Sequence, residues 1–202
     1  MPNALPRSTL ATRDRILEHA DELLARYGYS RMTIDDIARA ADIGKGSVYL
    51  HFASKRDLVL ALMDRLFDRV VQALEQIAAE SGPADDRLRR MLVARSLVRL
   101  DGVSRYREGL DELLTAIRPA LAERWRRHGD REAAVLARVL AAGNRAGIFA
   151  AAAPLAVARL LMTATNALVP SNLAPHELGR RTIVAQRAKR LSALLLDGVR
   201  AR

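Results

Sequence analysis

The sequence predicts an all-α protein: three short helices at the N-terminus, then a larger helical domain. Three observations carry this. Apolar residues recur at intervals of three and four rather than two, β-branched runs are absent, and Gly, Pro and Asp-Gly breaks fall at helix-length intervals. With 202 residues, half of them hydrophobic, the chain has material for one small and one medium core.

Residues 1–9 contain two prolines and little periodicity, and are expected to form a mobile arm. The first helix is expected from about Thr12 to Tyr27, with Ile16, Ala20, Leu23, Leu24 and Tyr27 as its apolar stripe. Gly28 suits the left-handed position just past its end. The second helix starts at Thr33, which with Asp36 makes a capping-box-like pair, and it buries Ile34, Ile37 and Ala38. Asp42-Ile43-Gly44 reads as a short turn. The third helix then runs from Lys45 to about Phe52. Two short helices around a three-residue turn make a helix-turn-helix. In the third helix Val48 and Phe52 lie four apart and face inward. Gly46, Ser47 and Leu50 therefore point outward, with His51 at the edge.

Ser54 and Asp57 repeat the capping pair at the start of a long fourth helix, to about Glu80, with Leu58, Leu62, Leu66, Val70, Leu74 and Ile77 in helical register. Further helices are expected over 84–100, 104–117, 120–128, 130–147, 154–169 and 175–199. Pro119, Gly129, Gly147, Pro154, Pro170 and Pro175 mark their boundaries. This places a first domain at 1–54 and a second at 55–202.

Composition excludes some chemistry. There are no cysteines, so disulfides, thiolate metal sites and thiol nucleophiles are out. No apolar stretch is long enough to span a bilayer, and the first residues lack a secretory pattern, so cytoplasmic residence is expected. His19, His51, His128 and His176 show no metal-ligand spacing. Phosphate-cradling loops and nucleophile elbows are also absent, so no cofactor, metal or enzymatic activity is expected. The net charge of +10 is not where a reading head would be. Residues 1–60 hold nine Lys/Arg against eight Asp/Glu, and the rest hold 24 against 15. Any nucleic-acid function therefore rests on the local motif rather than on bulk charge.

From Thr12 to Leu62 the residues resemble the TetR family of bacterial repressors. The matching positions are Gly28-Tyr29, Thr33 with Ile37-Ala38, Asp42-Ile43-Gly44-Lys45-Gly46-Ser47, Val48-Tyr49 with Phe52, and Ser54-Lys55 with Leu58. Asp42 stands where the family usually has glycine, Gly44 where serine is common, and Leu50 where an aromatic or polar residue is frequent. A later segment, Gly143 to Phe149, resembles a Gly-x-x-x-Gly-x-Phe feature of the family. The resemblance implies a homodimeric regulator that binds a near-palindromic double-stranded DNA operator and is released by a small-molecule effector. A constitutive DNA-binding dimer without an effector is the alternative.

The resemblance implies phosphate contacts from Thr33, Tyr49 and Lys55. Lys45, Gly46, Ser47 and Leu50 are placed to reach base edges, where Leu50 would meet a thymine methyl, and His51 completes the set. Arg7 and Arg13 are candidates to reach the DNA backbone or minor groove from the arm. Arg95 sits on an otherwise apolar face, either to neutralise an anionic ligand or with its head in water. Tyr106, Trp125, His128 and Asn166 are further candidates to line a cavity. The nearly all-apolar helix from Pro154 asks for burial on more than one side. Leu160, Leu161, Ala164 and Leu168, with Val184, Ala188, Leu191 and Leu195 of the last helix, are the expected dimer surface.

Overall fold

The computed structural model describes residues 7–174 and 176–200. Its helices are α1 (Arg7–Arg31), α2 (Ile34–Ala40), α3 (Lys45–His51), α4 (Lys55–Ala79), α5 (Ala84–Val103), α6 (Leu110–Arg145), α7 (Pro154–Thr165) and α8 (Arg181–Asp197), with short 3₁₀ turns after α5 and α7. No helix among the described residues is long and apolar enough to cross a membrane. Contacts group the chain into two compact units. One holds the residues up to Arg65 with Glu108–Leu121; the other holds Leu66–Arg107 and the chain from Ala122 onward.

In the first unit, α1 begins at Arg7, earlier than expected, so only residues 1–6 of the expected arm remain, and these lie outside the described residues. Gly28 does take a left-handed backbone (φ 75°), but as a kink: helical turns resume and continue to Arg31. Thr33 caps α2. Its Oγ1 accepts the Asp36 N–H at 3.1 Å and donates to the Asp36 carboxylate at 2.6 Å. That second bond is the first cause of the carboxyl's lowered pKa. Ser54 and Asp57 repeat both bonds at the start of α4. The α2–α3 turn is a Schellman motif. Asp42 adopts φ 51°, and Ile43 N–H reaches back to the Ala38 carbonyl at 3.0 Å. Aspartate is one of the few residues that tolerates this region, so the turn survives without glycine. Ile16, Leu17, Leu24, Ile37, Val48 and Leu58 are fully buried or nearly so. Each such side chain stabilises the fold by about 1.5–3 kcal/mol.

Five expected boundaries need correction. The helices expected over 104–117, 120–128 and 130–147 are a 3₁₀ turn (Ser104–Gly109) followed by one 36-residue helix, α6, which runs through Pro119 and Gly129. Proline costs about 3 kcal/mol and glycine about 1 inside a helix. Buried Leu113, Ile117 and Leu121 in the first unit, and Leu136, Val139 and Leu140 in the second, offset that cost. Similarly, α7 gives way to a 3₁₀ turn at Asn166, and α8 starts at Arg181 rather than near 175. Pro175 lies outside the described residues.

In the second unit the Gly143–Phe149 segment has a physical explanation. Gly147 ends α6 with φ 69°, and Ile148 N–H bonds the Gly143 carbonyl at 2.9 Å. A Cβ on Gly143 would stand 2.3 Å from the ring of Phe149, which is buried in the main apolar cluster. Gly143→Ala should therefore cost about 1–3 kcal/mol by overpacking, read as a lowered denaturation midpoint. Gly147→Ala would strain only the backbone turn. An unchanged midpoint for Gly143→Ala would refute the close-packing account.

Candidate nucleic-acid interface

The first unit sets α3 on the turn closed by Asp42. Val48 is its single buried residue, and Phe52, just past its end, is buried too. Those two anchors fix the rotation of the helix. Gly46, Tyr49 and Leu50 are consequently exposed, and Ser47 and His51 are half-buried. Leu50 is 86% exposed and Tyr49 48%. No side chain comes within 4 Å of the Cβ position of Gly46, so backbone lies bare beside Leu50.

Lys45 is exposed, and its ammonium donates to the Asp35 carboxylate at 2.8 Å. That hydrogen bond is the first cause of its raised pKa. A pair this exposed is readily exchanged for a phosphate or a base edge. Thr33 is exposed as well, but its one hydroxyl proton is committed to Asp36.

Two of the expected contacts are engaged within the chain. Lys55 is half-buried, and its ammonium donates to the carbonyls of Tyr29 (2.8 Å), Met32 (3.0 Å) and Ser30 (3.4 Å). It also lies 4.5 Å from the centroid of the Tyr29 ring. An ammonium has three N–H donors, so none is left for a phosphate. Arg13 belongs to α1, not to an arm, and its guanidinium covers the Phe52 ring at 5.1 Å. The side chain of Arg7 lies outside the described residues.

The second unit brings together only two of the five cavity candidates. Arg95 is 4% exposed, so neither its head nor its stem faces water. It donates to Glu132 (2.8 Å), to Thr165 (3.1 Å), to the Met162 carbonyl (3.3 Å) and to Asn166 (2.8 Å). Glu132 also accepts from Arg99. Burial, and secondly repulsion from Arg99, push the Arg95 guanidinium down to about 10 against the pull of Glu132. Its charge is thus already met within the chain. Glu132 and Arg99 were missed by the sequence reading, although Arg99 lies one turn from Arg95 and Glu132 sits on the buried stripe of α6. His128 is buried and packs against Phe67 with ring centroids 5.0 Å apart. Tyr106 is buried, whereas Trp125 is 46% exposed. An open groove of about 540 Å³ lies instead between α4 and α6, with Gln72, Val135 and the Glu75–Arg138 ion pair along it.

The expected dimer surface is only partly outward. Val184 and Ala188 are buried in the chain's own core because the inner stripe of α8 packs on α5. Leu161 and Leu168 are buried too, and Ala164, Leu191 and Leu195 are half-buried. Leu160 (68% exposed) and Leu194 (72%) face outward, and Leu155 and Ile183 join them.

Residues 16–62 match the family described as bacterial regulatory proteins, tetR family. Over 57 residues the chain is 40% identical to the HTH-type transcriptional regulator TtgR of Pseudomonas putida, covering 28% of this chain and 27% of that protein. Over 92 residues it is 34% identical to the HTH-type transcriptional activator FasR of Mycolicibacterium smegmatis, covering 46% and 41%. These matches thus span between a quarter and a half of either relative. Over 95% of its length the chain shares its fold with a TetR transcription regulator of Haloarcula marismortui, with a TM-score of 0.71, 20% identity and 99% of that chain covered.

Proposed function

With the chain belonging to the tetR family of bacterial regulatory proteins, we propose that it is a DNA-binding transcriptional regulator acting in the cytoplasm. The observation that carries this is α3 itself. Val48 locks one face of the helix, and the other presents Lys45, Gly46, Ser47, Tyr49 and Leu50. A helix of this kind fits the major groove, whose floor carries the base-edge code. Residues 1–54 would form the DNA-reading domain and 55–202 the effector and dimerisation domain.

The protein works as a homodimer. The outward leucines of α7 and α8, Leu160 and Leu194, support a second copy at this face. Two copies of α3 set about 34–36 Å apart would read half-sites one DNA turn apart, so the operator is near-palindromic. A small molecule bound in the second domain opposes DNA binding by shifting α4, and the two ligands share one coupling free energy. Repression relieved in this way is the preferred sense of regulation. A relative named as an activator shows that the opposite sense also occurs among similar proteins.

Binding of the wild-type protein to operators selected from random double-stranded DNA tests the reading. Tyr49→Ala should weaken all selected sequences alike, on the order of tenfold. Lys45→Ala should instead change which sequence is preferred, at about 1–3 kcal/mol per affected base. Failure to enrich any sequence would remove the DNA-binding reading. Uniform loss in both variants would remove the division of roles between them.

A further inference from the structure

We propose that Leu50 reads the C5-methyl group of one thymine in each half-site; this rests on the DNA-binding reading above. A leucine at 86% exposure is not by itself informative, since single apolar side chains on surfaces are common. Its setting is what distinguishes it. Leu50 lies two residues from Val48 along α3, close to the opposite side of the helix from the residue that anchors it. One turn earlier on the same face stand Gly46, with open space around it, and Ser47. The leucine therefore rises from small, bare surroundings at the centre of the outward face. Its neighbours one turn back on that face, Gly46 and Ser47, are too small to build a broad apolar patch with it.

Exposed apolar surface on the part of the fold that meets DNA finds a single matching group on the major-groove floor. Adenine, guanine and cytosine edges present donors and acceptors there, and thymine alone adds a methyl. Against the polar edges, a leucine would displace water from groups it cannot satisfy. Leu50 thus favours thymine twice, by covering a methyl and by penalising the alternatives. Gly46 contributes by letting the backbone of α3 approach the bases with no side chain in between. One leucine per protomer gives one such thymine in each symmetric half-site.

Uracil differs from thymine only by that methyl, which makes the test direct. An operator selected by the wild-type protein is resynthesised with each thymine in turn replaced by uracil in both half-sites. Dissociation constants are then measured at fixed salt. One symmetric position should weaken wild-type binding by about fourfold for each methyl removed, or roughly fifteenfold for the pair. Leu50→Ala should lose this discrimination, binding the thymine and uracil operators equally. Its thermal midpoint should stay at the wild-type value, because the side chain touches no core. Equal wild-type affinity for every uracil operator would overturn the proposal while leaving DNA binding intact. So would a thymine-to-uracil ratio that persists in Leu50→Ala. Absence of any selected operator would overturn both readings together.

Discussion

Glu132→Gln should lower the thermal midpoint by roughly 6–20 °C, corresponding to about 3–5 kcal/mol for a chain of this size. Glu132 is 1% exposed, and among the described residues its carboxylate is the one that Arg95 and Arg99 share. Glutamine keeps the shape and one acceptor but removes that charge. Two guanidinium groups would then remain beside each other, their shared carboxylate replaced by a neutral amide. The second domain would feel this widely, because the network ties α5 to α6 and, through Thr165 and Asn166, to the end of α7. The pair's own net worth is a separate question. Replacing Arg95 by Met and Glu132 by Leu together should cost less than Glu132→Gln alone, because a buried pair recovers little beyond its desolvation. If the single variant unfolds at the wild-type midpoint, the network is not holding the domain.

Features set by neighbours in sequence were legible, and those set by distant contacts were not. Thr33 with Asp36, Ser54 with Asp57, Asp42 in the left-handed turn and Gly147 at the end of α6 all act within a few residues. The inward turn of Val48 and the outward turn of Leu50 follow from helical period alone. Pro119 and Gly129 misled because burial along α6 outweighs their local cost. Arg95 was singled out, but its partner Glu132 lies 37 residues away, and only the packed helices bring them together. Val184 and Ala188 show a related ambiguity. An apolar stripe announces burial without saying whether the covering surface belongs to the same chain or to another. Here α5 covers that stripe, while Leu160 and Leu194 on the other faces stay open.

Lys55→Met should destabilise the DNA-reading unit by about 2–4 kcal/mol, and it should abolish operator binding through that loss. The end of α1 turns at Gly28, and the carbonyls of Tyr29, Ser30 and Met32 converge on the Lys55 ammonium. The same segment is held through its N–H side by Glu112, which accepts from the Ser30 backbone at 2.8 Å. Lys55 therefore fixes how the chain enters α2, and with it the helix-turn-helix. A phosphate-binding lysine would behave differently in two respects. Its loss would leave folding unchanged and reduce the salt dependence of binding by about one counterion. Its replacement by arginine would also be tolerated. A planar guanidinium cannot aim three donors at one converging set of carbonyls, so Lys55→Arg should fail to restore stability although it keeps the charge. Melting curves and salt-dependent binding measured on both variants separate the two roles. Full stability in Lys55→Met, with a shallower salt slope, would return Lys55 to the DNA backbone.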